Sequence, residues 1–291
     1  MMPENGPELP ARRVLIGTHT FAATGEAGRR QAAAVASMRS LRDVDLVDVQ
    51  FAAEPYRHPD LETLAVLERS SRTVSGVEGP AKPLMSDIFD ALAAEARRRR
   101  LPYFCFTNAD IHISQAAVDR VLGGGGISHV FSREDFDRDG RTLGMELAGI
   151  DVFAVATDWW PKHRHRFRPY IAAEGMWDNV YASILLIHAN ATIENRGPMV
   201  RHEAHPRSGE TRRNFVAYSN YLASLDAWYF DRWCKYWGGL VELRREGADE
   251  AAEHALRQRV FTWPPSLRDR ALQAARFVRA ACRYYLRPRG G

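Results

Sequence analysis

Residues 101–114, LPYFCFTNADIHIS, constrain the fold more than any other stretch of this chain. Tyr103, Phe104, Cys105, Phe106 and Thr107 form an unbroken apolar, β-favouring run, the pattern of a strand covered on both faces. Asn108-Ala109-Asp110 then sets two oxygen-bearing side chains two positions apart at the strand's end, where open α/β sheets bind their ligands. Such a pair suits a hard divalent cation whose shell is completed by phosphate oxygens and water. The same residues also suit a local role, capping the following turn.

The elements before this stretch set its context. Residues 14–17, VLIG, read as a short apolar strand, and Thr18-His19-Thr20 follow as a polar loop that serves either a nucleotide contact or an ordinary βα turn. A helix is expected over 26–41 and an alternating strand, VDLVDV, over 44–49. Helices are expected over 59–72 and 84–100, the second with Ile88, Phe89, Leu92 and Ala96 on one face. Strand, helix, strand, helices, strand is the order of a parallel βαβ sheet. No G-x-G-x-x-G follows the first strand and no P-loop motif occurs, so the dinucleotide and P-loop classes are excluded. Gly123 to Gly126 come after a helix and read as its stop.

Composition narrows the class. With 291 residues, 45% hydrophobic and 26% charged, the chain is an ordinary globular protein with room for one large α/β domain and an appendage. The net charge of +4 and the interspersed acids argue against nucleic acid as partner. Lys82, Lys162 and Lys235 are the only lysines; the remaining positive charge is arginine, the side chain that grips phosphate bidentately. Cys105, Cys234 and Cys282 give neither a disulfide framework nor a zinc pattern. Residues 1–11 read as a disordered lead-in without an apolar core, no run has transmembrane length, and a cytoplasmic location is expected.

Further candidates follow along the chain. Residues 128–133, SHVFSR, read as a strand closed by Arg133, a candidate phosphate contact. A polar span then leads to a strand over 152–156 and to Lys162-His163-Arg164-His165-Arg166, a basic loop expected to flank the same sheet edge as the acidic one. Trp177, Val180, Tyr181, Ile184, Leu185 and His188 recur at helical spacing after Gly175. Glu174 and Asp178 at that helix's start either complement its dipole or supply a base for an acceptor hydroxyl, with Asp178 the first choice. Trp177 beside it is either core or a sugar-stacking surface. Residues 198–205 resemble a strand ending in a polar cluster, in which His202 and His205 are either structural or ligands for a metal or phosphate.

FTNADI on the third strand, GIDVFAV followed by WWP, EGMWDN opening a helix and RHEAH on a late strand together resemble the nucleotide-diphospho-sugar transferases of the GT-A fold, over residues 13–207. The resemblance implies a GT-A-like, mostly parallel sheet flanked by helices. It implies metal and donor-diphosphate binding at Asp110, with Asn108 at the family's first acidic position, a catalytic base at Asp178, and completion of the metal site by His202 or His205. Asn108 is a departure, a neutral side chain at a carboxylate position. The expected activity is glycosyl transfer from a nucleotide-diphospho-sugar to a saccharide or small-molecule acceptor, assisted by Mn²⁺ or Mg²⁺. Nucleotidyl transfer, donor hydrolysis and a non-catalytic sugar-nucleotide-binding subunit are the alternatives.

Residues 12–210 are thus expected to form the donor-binding and catalytic domain and 211–291 a helical extension packed on it. The extension opens with a long aromatic helix over 214–245 and ends with a basic, amphipathic one over 267–286. That last helix suits packing, a partner surface or an anionic membrane.

Overall fold

The computed structural model describes residues 13–53, 55–75, 80–205, 213–262 and 265–285. The expected lead-in, the 210/211 boundary and Pro264 lie outside them. In chain order the elements are β1 (Val14–Thr18), α1 (Gly25–Arg39), β2 (Val44–Phe51), β3 (Glu62–Leu67), α2 (Ser71–Ser75), α3 (Met85–Arg98), β4 (Tyr103–Thr107), β5 (Ile111–Ile113) and α4 (Gln115–Gly123). Then come β6 (His129–Phe136), β7 (Thr142–Ala156), α5 (Trp160–His163), a 3₁₀ turn (Arg164–Arg166), α6 (Trp177–His188), β8 (Thr192–Glu194) and β9 (Val200–Glu203). Four helices close the chain: α7 (Arg213–Leu225), α8 (Ala227–Arg245), α9 (Glu250–Val260) and α10 (Leu267–Tyr285).

The strands form one mixed, mostly parallel sheet in the order β3-β2-β1-β4-β7-β6-β9-β5, with β8 beside β6. β1 to β4 run parallel, whereas β7 runs antiparallel to both β4 and β6. Strand alternation sends Leu15, Phe104, Phe106, Phe153 and Val155 to one face, under α3, α6, α7 and α8. Val14, Ile16, Tyr103, Cys105, Val152 and Ala154 go to the other, under α1 and α4. The sheet is therefore apolar on both sides, which is why its central strands read as continuous hydrophobic runs. Phe89 of α3 centres the first face, its ring 5.2–6.0 Å from those of Phe104, Phe106, Phe153, Trp160 and Tyr181. Gly17 lets α3 come this close, since a Cβ there would meet Leu92 Cδ2 at 2.1 Å.

Four expectations need correction. Residues 62–67 are an edge strand, pairing Val49 with Leu64, and the helix there is confined to Ser71–Ser75. The polar span before Val152 is mostly strand: β6 and β7 form a long hairpin whose register shifts at 131/132, 132/133 and 135/136 break the alternation that marks a strand in sequence. The helical stretch 214–245 is two helices, broken at Asp226, whose buried carboxylate accepts from Arg168 and Tyr170. The basic segment 162–166 lies at the opposite end of the sheet from Asn108. Antiparallel pairing sets Ala156 beside Tyr103, at the start of β4, and Arg164 is held there by Asp90 of α3.

Phe89→Ala is expected to lower unfolding stability by about 3–5 kcal/mol, the cost of an aromatic cavity. Leu143→Ala, at a side chain 60% exposed, is expected to stay within about 0.5 kcal/mol. Urea titrations of the two variants check the contrast; equal losses would mean that the core is not centred on Phe89.

Candidate functional site

Strand register assembles the site. β4 ends at Thr107 opposite Val152, which brings Asn108 beside Asp151. Asn108-Ala109-Asp110 then turns the chain into β5, where Ile111 pairs with His202 of β9. His202 in turn lies beside Asp135 of β6. Polar residues from four strands thus meet at the end of β4 that faces away from the basic segment.

Asp110, His202 and His205 form a compact donor group, with one ligand atom from each all lying within 4.8 Å of one another. His205 Nε2 is 3.2 Å and His202 Nε2 3.7 Å from Asp110 Oδ2, and His202 Nδ1 is 3.0 Å from Asp135 Oδ1. Burial opposes ionisation of Asp110, but hydrogen bonds and charge from the two imidazoles hold its pKa down to about 2. His202 is raised above its ordinary value: burial works against the imidazolium, and Asp110 and Asp135 outweigh it. The donor set is one carboxylate and two imidazoles. Such a mixed nitrogen and oxygen set can hold a divalent cation.

Asn108 does not point at this group. Its Nδ2 donates to Asp151 Oδ1 at 2.8 Å, and Arg133 Nη1 donates to Asp151 Oδ2 at 2.5 Å. Arg133 Nε also reaches Asp135 Oδ1 at 2.8 Å. Asp151 is 7% exposed, so the site holds a second carboxylate, this one buried and contributed by β7. The neutral amide at 108 is the side chain that can face it. Asp178 in the first turn of α6 feels the same charge. Dehydration first, and then Asp151, push its pKa up to about 7, against backbone N–H bonds from Asn179, Asp178 and Ile150.

The remaining candidates are placed differently. Thr18 ends β1, 2% exposed with an unpartnered Oγ1, beside a buried network in which Asp48 accepts from Thr20 N and Gln50 Nε2. Glu174 is 3% exposed and pairs with Lys82 Nζ at 2.5 Å, which neutralises it. Trp177 offers no stacking surface: at 4% exposure its ring packs against Phe106, Phe153 and Tyr181, and it belongs to the core. Asp151 and Asp135 carry no signal of their own in the sequence; only the β6–β7 hairpin turns them inward.

Neither a protein-family model nor a curated protein matches the chain. Among solved structures it is similar to the mannosyltransferase PcManGT from Pyrobaculum calidifontis, in complex with GDP-Man and Mn²⁺, at 13% identity and a TM-score of 0.41, over 94% of this chain and 87% of that one. It is also similar to TarS of S. aureus, at 11% identity and a TM-score of 0.42, over 77% of this chain and 42% of TarS, less than half of that protein.

Two substitutions test the electrostatics without any substrate. A carboxyl raised to about 7 in the fold from an ordinary 3.8 binds its proton more tightly when folded, so it costs no stability at low pH and its full penalty above about pH 7. Asp178→Asn should therefore raise the melting temperature near pH 8, with the gain vanishing near pH 4; a gain independent of pH would rule out a buried charge as its source. Asn108→Asp should lower the melting temperature of metal-free protein by setting two carboxylates face to face, and Mn²⁺ should restore it. Unchanged melting in both conditions would exclude the Asn108–Asp151 contact.

Proposed function

We propose that this chain is a metal-assisted glycosyltransferase that moves a sugar from a nucleotide-diphospho-sugar to an acceptor hydroxyl. One observation carries the reading: the Asp110–His202–His205 donor group sits at the carboxyl end of a buried strand, with Arg133 beside it and a near-neutral carboxyl, Asp178, beyond Asp151. The end of such a strand is where open α/β sheets place ligands. Asp110, His202 and His205 would hold the divalent cation, Mn²⁺ or Mg²⁺. A cation bound there neutralises the charge that a leaving nucleoside diphosphate develops.

The protein's own groups supply the rest. Arg133 adds a guanidinium on the same side, its charge already shared between Asp151 and Asp135. Asp178 acts as general base for the acceptor hydroxyl. A base works best when its pKa lies near the operating pH, and about 7 meets that condition where an ordinary aspartate does not. Glu174 is the second candidate for this role, but its carboxylate is engaged by Lys82. The acceptor is a saccharide or a small molecule.

The reading is tested by thermal shift and turnover with a panel of nucleotide-diphospho-sugars, with Mn²⁺, Mg²⁺ or EDTA. Stabilisation by one donor in Mn²⁺ or Mg²⁺, lost in EDTA, is expected. Asp110→Ala should abolish Mn²⁺-dependent donor binding and leave a folded protein. Asp178→Asn should reduce turnover about 10²- to 10⁴-fold with donor affinity nearly unchanged. Donor binding without turnover would instead indicate a non-catalytic binding subunit. Release of pyrophosphate would indicate nucleotidyl transfer, and indifference to every donor would end the sugar-nucleotide reading.

A further inference from the structure

The last helix carries a surface that the proposed chemistry does not use. Leu267, Ala271, Ala274, Ala275, Val278 and Cys282 are all exposed, Leu267 by 82% and Val278 by 59%. At helical spacing they fall within one sector of about 100°. Exposed Arg268 and Arg279 border that sector on one side and exposed Arg270 on the other. None of these three arginines has an ion-pair partner among the described residues. The charges that do pair tie α10 to the body of the protein: Asp269 with Arg232, and Arg276 with Asp231. The helix is therefore docked through one side on α7 and α8 and presents an arginine-bordered apolar stripe on another.

We propose that this stripe lies on an anionic membrane surface, with α10 parallel to the bilayer plane. An apolar sector bordered by arginines matches an interface in which small side chains enter the headgroup boundary while guanidinium groups meet lipid phosphates. A second copy of the chain is the poorer occupant, because a symmetric contact would bring the same unpaired arginines against one another. No helix among the described residues is long and apolar enough to cross a membrane, so the contact is peripheral.

The inference is independent of the sugar-nucleotide reading, because its readout is lipid binding by the full chain. Co-sedimentation with vesicles of equal parts phosphatidylglycerol and phosphatidylcholine should capture the protein, high salt should release it, and pure phosphatidylcholine vesicles should not bind it. The triple variant Arg268→Glu, Arg270→Glu, Arg279→Glu should partition at least about a hundredfold less, from about fivefold for each of the three positive charges removed, before the added glutamates are counted. The matching triple Lys variant should bind as the parent does, and Val278→Asp should weaken binding with thermal melting unchanged. Equal binding to neutral vesicles, retention by the Glu variant, or self-association on light scattering without vesicle binding would each overturn the proposal.

Discussion

Asp151 is the buried charge around which the site is arranged. It lies within β7, next to Val152, which pairs with the carboxyl end of β4, and its two oxygens are taken by Asn108 and Arg133. A carboxylate so little exposed persists only when its partners are complete, because removal of either leaves an uncompensated charge costing several kcal/mol. The neighbours adapt to that requirement. Residue 108 is an amide and not an acid, Arg133 bridges Asp151 to Asp135, and Asp178, close to the same negative charge, keeps its proton to about pH 7. One buried aspartate thus divides the site into an ionised half, where Asp110 stays charged between two imidazoles, and a half with a carboxyl near neutrality. Two carboxyls driven to opposite pKa values by their surroundings are the electrostatic condition for assigning them different roles.

That division explains why the departure at Asn108 is no loss of acidity. Read along the chain, one acid is missing from the loop after the third strand. Read across the sheet, the acid is supplied by β7, hydrogen-bonded to the residue that stands in its place. An aspartate at 108 would confront Asp151 with no donor between them, and a shared proton or a cation would be needed to reconcile the pair.

Local physics made part of this legible in the sequence. The run from Tyr103 to Thr107 had to be a buried strand, Asp110 had to lie at its end, and the apolar spacing of α3 and α6 placed both helices over the sheet. His202 and His205 were joined to Asp110 only through the family resemblance; residue spacing could not show the contact, which spans some ninety residues and depends on the β5–β9 pairing. The β6–β7 hairpin was hidden for a different reason. Its bulges shift the alternation, and its outer half is too solvated to show an apolar face, so Asp135 and Asp151 had no visible partners. The position of residues 162–166 turned on one fact absent from composition and spacing, the antiparallel direction of β7. Parallel and antiparallel strands look alike when both faces are buried, yet the choice moves everything that follows to the other end of the sheet. Trp177, legible either as core or as surface, was decided by the three aromatic rings that enclose it.

The two halves of the site also differ in how firmly they are held. Asp178 starts a helix whose first turn is locked by Trp177 and Tyr181 in the aromatic core, and α7 and α8 back the same helix. The loop leading into it holds Ala173 at φ 61° and Met176 at φ 80°. Such left-handed conformations cost non-glycine residues about 1–3 kcal/mol each and persist only where the surroundings over-determine them. The Lys82–Glu174 pair between those positions, together with the bridge of Leu84 to Ile171, provides that determination. His205 lies beyond the end of β9, and Asp110 lies in the turn between β4 and β5. Under the proposed reading a base must be aimed at one proton, whereas ligands need only converge on an ion, and the strained loop and aromatic packing lie on the side of Asp178, where aim matters.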